Sequence, residues 1–291
     1  MTTLITMRTM EKTNVVVELG EGKYLRMTRS ERIQHFVLLS TFITLVITGF
    51  WLKYPEAFWV KWITFLIGTS AFELRGVVHR IASVLMVAGG IYHLYYLAFT
   101  YRGRHFLKDM LPVKRDITDV IHIMKYYFSK TLEKPKFGRF SYIEKAEYWA
   151  VVWGTVIMGA TGMVLWFQNI FLPIIHTSGM NIATAVHFYE AILATLAIIV
   201  WHFYFIFFNP DVVPMNKAWL YGYLDHEEME KEHPLELEKL EEYKKQLELE
   251  AKQKEKEAEI HKAEVKLQEE KKKELNKGTN SELNIKEAPI E

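Results

Sequence analysis

The sequence predicts an all-α membrane protein, a bundle of four transmembrane helices followed by a charged helical tail. Three observations carry that prediction. Four segments, at about 31–52, 76–99, 146–168 and 184–208, are dominated by Phe, Ile, Leu, Val, Trp and Tyr. Each reaches the roughly 20 apolar residues a bilayer crossing needs. From 225 onward the chain is almost all Glu, Lys, Leu and Ala. The mean hydropathy near zero averages these two unlike regions, so they are read separately. Finally, Lys and Arg crowd some of the connections and are absent from another, which sets an orientation.

In chain order, an N-terminal arm over 1–30 carries Arg8, Lys12, Lys23, Arg26 and Arg29. It is polar and lacks the apolar core of a cleavable signal peptide. The long connection between the second and third spans holds ten Lys and Arg residues, from Arg102 to Arg139, whereas "QNIFLPIIHTSGMN" between the third and fourth has no charge. Both termini and the long connection are therefore expected on the cytoplasmic side of a bacterial inner membrane. Within that connection Ile117, Val120, Ile121, Met124 and Phe128 share one helical face, which predicts an interfacial helix over 116–128. The tail over 211–278 is rich in Glu–Lys pairs at helical spacing and reads as a solvated helix. Residues 279–291 are expected to be disordered.

Composition also excludes. With no cysteine, disulfides, thiolate zinc sites, iron–sulfur ligation and covalent haem attachment are removed. A net charge of +1 gives no reason to expect nucleic acid as a partner. Any resident metal must be held by histidine, carboxylate or methionine.

The core reads as two copies of a helical hairpin. Glu31, Arg32, Phe36 and the Thr48-Gly49 pair of the first span match Glu144, Lys145, Trp149 and Thr161-Gly162 of the third. His79 and His93 of the second span match His187 and His202 of the fourth. Copies entering from one side are related by an axis along the membrane normal.

Five histidines lie in the spans: His35, His79, His93, His187 and His202. Ionisable groups in membrane helices are costly and usually functional. Fourteen residues of helix rise about 21 Å and fifteen about 22 Å, each close to four turns. Each pair therefore lies on one face with a histidine near each surface. His79 is expected to face His187 near the periplasmic side, and His93 to face His202 nearer the cytoplasm. Two facing imidazoles suit two non-covalent, bis-histidine b haems, which transfer electrons and leave no open iron position. A zinc site would want three or four converging ligands. Gly49, Gly89, Gly90, Gly154, Gly159 and Gly162 leave room for a macrocycle, although small residues also serve plain helix packing. Arg80 is a candidate partner for a propionate.

Several stretches then resemble the membrane cytochrome b subunit of respiratory formate dehydrogenases, with its nickel–iron hydrogenase and thiosulfate reductase relatives. They are "SERIQHF", "RGVVHR", "EYW…TGMVLWF", "VHFYEAILATLAIIVWHFYFIFF" and "MNKAWLYGYLDHEEMEKEHP", which together span most of 28–235. The resemblance implies two b haems in a four-helix bundle that passes electrons between a redox partner and menaquinone. Carried over, one haem falls on His79 and His187, and the other on His35 and His202. His93 departs from that pattern and matches the histidine spacing of bc-type cytochrome b instead. The internal repeat favours His93 as the partner of His202, the resemblance favours His35, and the repeat is given the greater weight. The resemblance places the quinone near the start of the third span, where Ser141 is a candidate hydrogen-bond donor and Glu144 or Glu147 a candidate proton relay.

The chain holds no catalytic module of its own. It is expected to be an electron-transfer subunit, partnered in the lipid bilayer by an iron–sulfur protein, a multihaem cytochrome c or a catalytic dehydrogenase. The competing expectation is a haem-free membrane scaffold that recruits partners through its charged tail.

Overall fold

A computed structural model describes residues 16–20, 22–68, 70–129 and 133–286. Residues 1–15 of the expected arm and 287–291 of the expected disordered end lie outside the described residues. The chain divides into two units, one ending at Leu237 and one comprising Glu238–Glu291.

Four helices of the first unit are long and apolar enough to cross a membrane. Helix α1 (Arg29–Lys53) opens on a reciprocal cap: the Thr28 amide donates to Glu31 Oε2 at 2.6 Å while the Glu31 amide donates to Thr28 Oγ1. This satisfies two backbone donors that a helix start leaves open. The chain turns through α2 (Phe58–Ile67), which the sequence reading missed, and returns along α3 (Ala71–Phe99). Val60 of α2 is fully buried between Trp51 and Ala71, so this short helix closes that end of the hairpin. Two helices then fill the long connection, α4 (Tyr101–Met110) and α5 (Lys114–Phe128). Helix α5 covers the stretch expected to form an interfacial helix. It leaves Ile117, Ile121, Met124 and Phe128 exposed on one side and anchors the other through Asp116, paired with the buried Lys145 at 2.9 Å.

The second hairpin repeats the first. Helix α6 (Tyr142–Trp166) opens on the same reciprocal cap, made by Ser141 and Glu144. Helix α7 (Gln168–Leu196) then leads into two wide turns, Ala197–His202 and Tyr204–Phe208, whose hydrogen bonds span five residues instead of four. The uncharged stretch expected as a loop is helical, broken only at His176 (φ 57°), three residues past Pro173. It contains a single glycine and no charge, so little in it opposes helix once the proline is accommodated near the start. Helix α1 packs chiefly on α3 and α6 on α7, and the hairpins meet through α1 with α7 and α3 with α6.

The end of the bundle from which α1 and α6 start carries a cap the sequence did not announce. Strands β1 (Val17–Gly20), β2 (Lys23–Leu25) and β3 (Tyr223–Asp225) form one antiparallel sheet in that order, with Tyr24 opposite Leu224. Helix α8 (Ala218–Tyr221) feeds β3 through Gly222, whose φ of 89° and 2.5 Å approach of a hypothetical Cβ to the Met27 carbonyl admit no side chain. Helix α9 (His226–Glu232) and the start of α10 (Pro234–Lys286) complete the cap. Arg26 ties them together, donating to Glu236 at 3.0 Å and to the Arg139 carbonyl at 2.7 Å. Burial pushes Glu232 up to about 8, the neighbouring Glu144 carboxylate adding to the effect and Arg26 opposing it. Helix α10 continues to Lys286, past Gly278 where the tail was expected to lose its structure.

Candidate functional site

At the end of the bundle remote from the sheet, His79 on α3 and His187 on α7 face each other, ring centroids 6.5 Å apart and planes at 67°. Their surroundings are two-fold. Thr48 Oγ1 lies 2.9 Å from Nδ1 of His79, and Thr161 Oγ1 lies 2.9 Å from Nδ1 of His187. Each threonine also donates to the carbonyl one turn back, Thr44 at 2.6 Å and Ile157 at 2.7 Å. The hydroxyl proton is committed there, so the oxygen accepts from the imidazole, which fixes Nδ1–H and leaves Nε2 as the nitrogen with a free lone pair. The next residue in each case is glycine. A Cβ on Gly49 would stand 3.5 Å from Cε1 of His79, and one on Gly162 would stand 3.3 Å from Cε1 of His187. The Thr-Gly pairs of the repeat are thus a hydrogen-bond acceptor followed by a gap for the ring.

These residues fit a metal-centred macrocycle. A metal–imidazole bond of about 2 Å on each side, plus the half-widths of two rings, accounts for the 6.5 Å between centroids. Among the described residues no three His, Asp or Glu side chains cluster as a metal cage.

At the sheet-bearing end the repeat persists but its chemistry divides. Gln34 on α1 meets His93 on α3, Oε1 to Nδ1 at 2.7 Å. At the matching place Glu147 on α6 meets His202 beyond α7, Oε2 to Nδ1 at 2.9 Å. The residue following each, His35 or Tyr148, addresses the histidine of the other hairpin. Tyr148 contacts Nε2 of His93 through its hydroxyl at 3.1 Å, and His35 lies close enough to His202 for the two rings to interact electrostatically. His93 therefore has both nitrogens engaged within the protein, and Tyr96 and Phe106 cover its ring. His35 is different: its Nδ1 is buried without a protein partner. So are Arg32 Nε, one turn before it, and Nε1 of Trp219, whose ring lies 6.1 Å from His35. Unpaired polar atoms in an apolar interior are costly, and His35 and the neighbouring Trp219 each carry one.

The fourteen-residue spacing of His79 and His93 becomes fifteen between His187 and His202. The wide turn Ala197–His202 takes up that extra residue. Such turns are one-residue expansions of a helix and are frequent at functional sites.

The prokaryotic cytochrome b561 signature matches residues 26–214, more than half of the chain. The chain belongs to that family. It also matches the cytochrome b556(fdo) subunit of formate dehydrogenase from Escherichia coli strain K12 at 22% identity over 196 residues, covering 67% of this chain and 85% of the relative. The same subunit from E. coli O157:H7 matches equally. This cytochrome is therefore a multi-pass membrane protein of electron transport, and its family binds haem b.

The other sequence candidates in the cytochrome have structural partners. Ser141 and Glu144 cap α6 through each other, and Glu144 also lies 3.6 Å from Arg26. Arg80 lies over the face of Trp166, 5.4 Å from its centroid. Sequence reasoning noted the Thr-Gly pairs as a repeat without seeing that they hold the histidines, and it passed over Gln34. The offset between the copies was the available signal: the shift that superimposes Thr48 on Thr161 also carries Gln34 onto Glu147 and His35 onto Tyr148.

Proposed function

We propose that this cytochrome is the dihaem membrane subunit of a respiratory complex, moving electrons across the bilayer between a redox partner and the quinone pool. The observation that carries the reading is the His79–His187 pair, 6.5 Å between centroids with each Nδ1 held by a threonine. One haem b is assigned to these two histidines. The second is assigned to His35 and His202, because His93 has both nitrogens engaged by Gln34 and Tyr148 while Nδ1 of His35 is unpaired. This differs from the weight the repeat alone gave to His93.

Bound haem supplies one-electron exchange at iron, and two imidazoles leave no position open for oxygen. The chain does the rest. Thr48, Thr161 and Glu147 hold the rings in orientation, Gly49 and Gly162 keep space beside them, and the apolar spans exclude water. The distribution of Lys and Arg supports a cytoplasmic side, in a bacterial cell, for the sheet-bearing end and both termini. The relatives are named as formate dehydrogenase subunits, which supports a membrane-embedded complex with a catalytic partner; menaquinone is taken as the exchanged quinone.

The test is the reduced absorption spectrum with haem counting on purified protein. Two b haems per chain are expected, falling to one in His79→Ala and in His35→Ala and remaining two in His93→Ala. A menaquinol analogue should reduce the wild-type haems. Loss of a haem in His93→Ala with retention in His35→Ala would reverse the second assignment, and a spectrum without a b-type band would sink the function.

A further inference from the structure

The two copies of the hairpin contain an internal control for the chemistry around His202. At one position of the repeat an amide, Gln34, bonds Nδ1 of His93, whose other nitrogen meets a tyrosine hydroxyl. At the equivalent position a carboxylate, Glu147, bonds Nδ1 of His202 at 2.9 Å, with side chains 20% and 29% exposed respectively. At the remote end both imidazoles bond neutral threonines. Of the four Nδ1 partners in the bundle, only that of His202 can carry charge. Its second oxygen, Oε1, is buried with no protein partner. A carboxylate half-unpaired in an apolar helix bundle is a cost that an amide of the same shape would avoid.

We propose that Glu147 is the positioning residue that makes the two haem sites unequal, lowering the reduction potential of the His202 site relative to the His79–His187 site. This rests on the assignment of His202 as a ligand. A carboxylate accepting Nδ1–H draws the proton toward itself and makes the imidazole a stronger donor through Nε2. Stronger donation and a nearby negative charge both favour the more positively charged, oxidised iron over the reduced one. A neutral threonine at the remote pair does neither. The chain thereby sets the order in which its two sites accept one electron each, without altering any ligand to iron.

The experiment is a spectroelectrochemical titration of the full-length protein in detergent, wild type against Glu147→Gln, with haem content measured on each. Glutamine keeps an acceptor oxygen for Nδ1–H and removes the charge. The expected result is two haems retained and one midpoint raised, by about a tenfold change in the oxidised-to-reduced ratio, which for a one-electron couple is about 59 mV. An unchanged pair of midpoints, or an equal shift of both, overturns the proposal. Should Glu147→Gln shed a haem, Glu147→Asp is titrated instead. Retention at the wild-type midpoint then supports the role of the charge, and a raised midpoint or a lost haem counts against it. His202→Ala is measured in parallel. If that variant keeps both haems, the ligand assignment fails; if it loses one while Glu147→Gln shifts nothing, only the role of Glu147 fails.

Discussion

The two ends of the bundle set the same pairs of helices against each other and reach different results. At the remote end each hairpin contributes an identical unit, threonine, glycine and histidine, and the site is symmetric in composition and in its threonine–imidazole distance. At the sheet-bearing end the same repeat positions hold Gln34 and His35 in one copy and Glu147 and Tyr148 in the other. Two imidazole environments result, one closed on itself and one with unpaired polar atoms. A duplicated hairpin thus supplies the geometry twice, while single residues at matched positions decide what each place binds.

The largest effect should come from the symmetric end. His187→Ala is expected to remove the remote haem completely while leaving the other, read as half the wild-type haem per protein. If both are lost, the ends are not independent. Next, Thr161→Val removes the acceptor for Nδ1–H of His187 and should weaken haem retention by about 10–100-fold, with Thr48→Val matching it if the site is as symmetric as its distances. Competition with a haem-binding apoprotein gives the comparison. Smaller still, Gly162→Ala introduces a Cβ 3.3 Å from His187, tighter than the ordinary 3.5 Å contact that Gly49→Ala makes with His79. Gly162→Ala should therefore broaden or shift the remote α-band more than its counterpart does.

At the sheet-bearing end Glu232 offers a pH test. The folded protein holds its proton until about pH 8, whereas the unfolded chain releases it near 4.5. The unfolded state thus binds fewer protons in between, so this residue's contribution is most favourable below pH 4.5, declines through the interval and is level above 8. Relative to wild type, Glu232→Gln should gain stability as pH rises from 5 to 8.5, by an amount on the order of 4 kcal/mol. Thermal unfolding at the two pH values measures it.

Much of this was legible in the residues. Long apolar runs fix the spans, because only a helix or a closed barrel satisfies its backbone inside a bilayer and continuous runs of about 20 apolar residues suit the helix. The facing of His79 and His187 follows from helix geometry and the repeat, since both lie on well-formed α-helix. His202 does not, because its segment is wound more widely, and a spacing argument that assumes uniform turns loses its register there. The sheet was illegible for another reason: its strands are three and four residues long, too short to show a period, and the whole bundle lies in sequence between β2 and its partner β3. Gln34 escaped attention because a polar residue near a helix end reads as surface until its partner is known, and Tyr148 was seen only as the residue standing where the first span has His35.

The pairing of β2 with β3 has a consequence in time. Tyr24 and His226, which meet at 2.9 Å beside that sheet, are separated by 202 residues of chain. At the usual pace of synthesis, about 5–20 residues per second, the first hairpin strands must wait on the order of 10–40 s for their third. All four spans have been made by then, so the latch can close only on a finished bundle. A chain stopped short of Asp225 would leave an open strand edge, a ready handle for the quality-control machinery that removes incomplete membrane proteins.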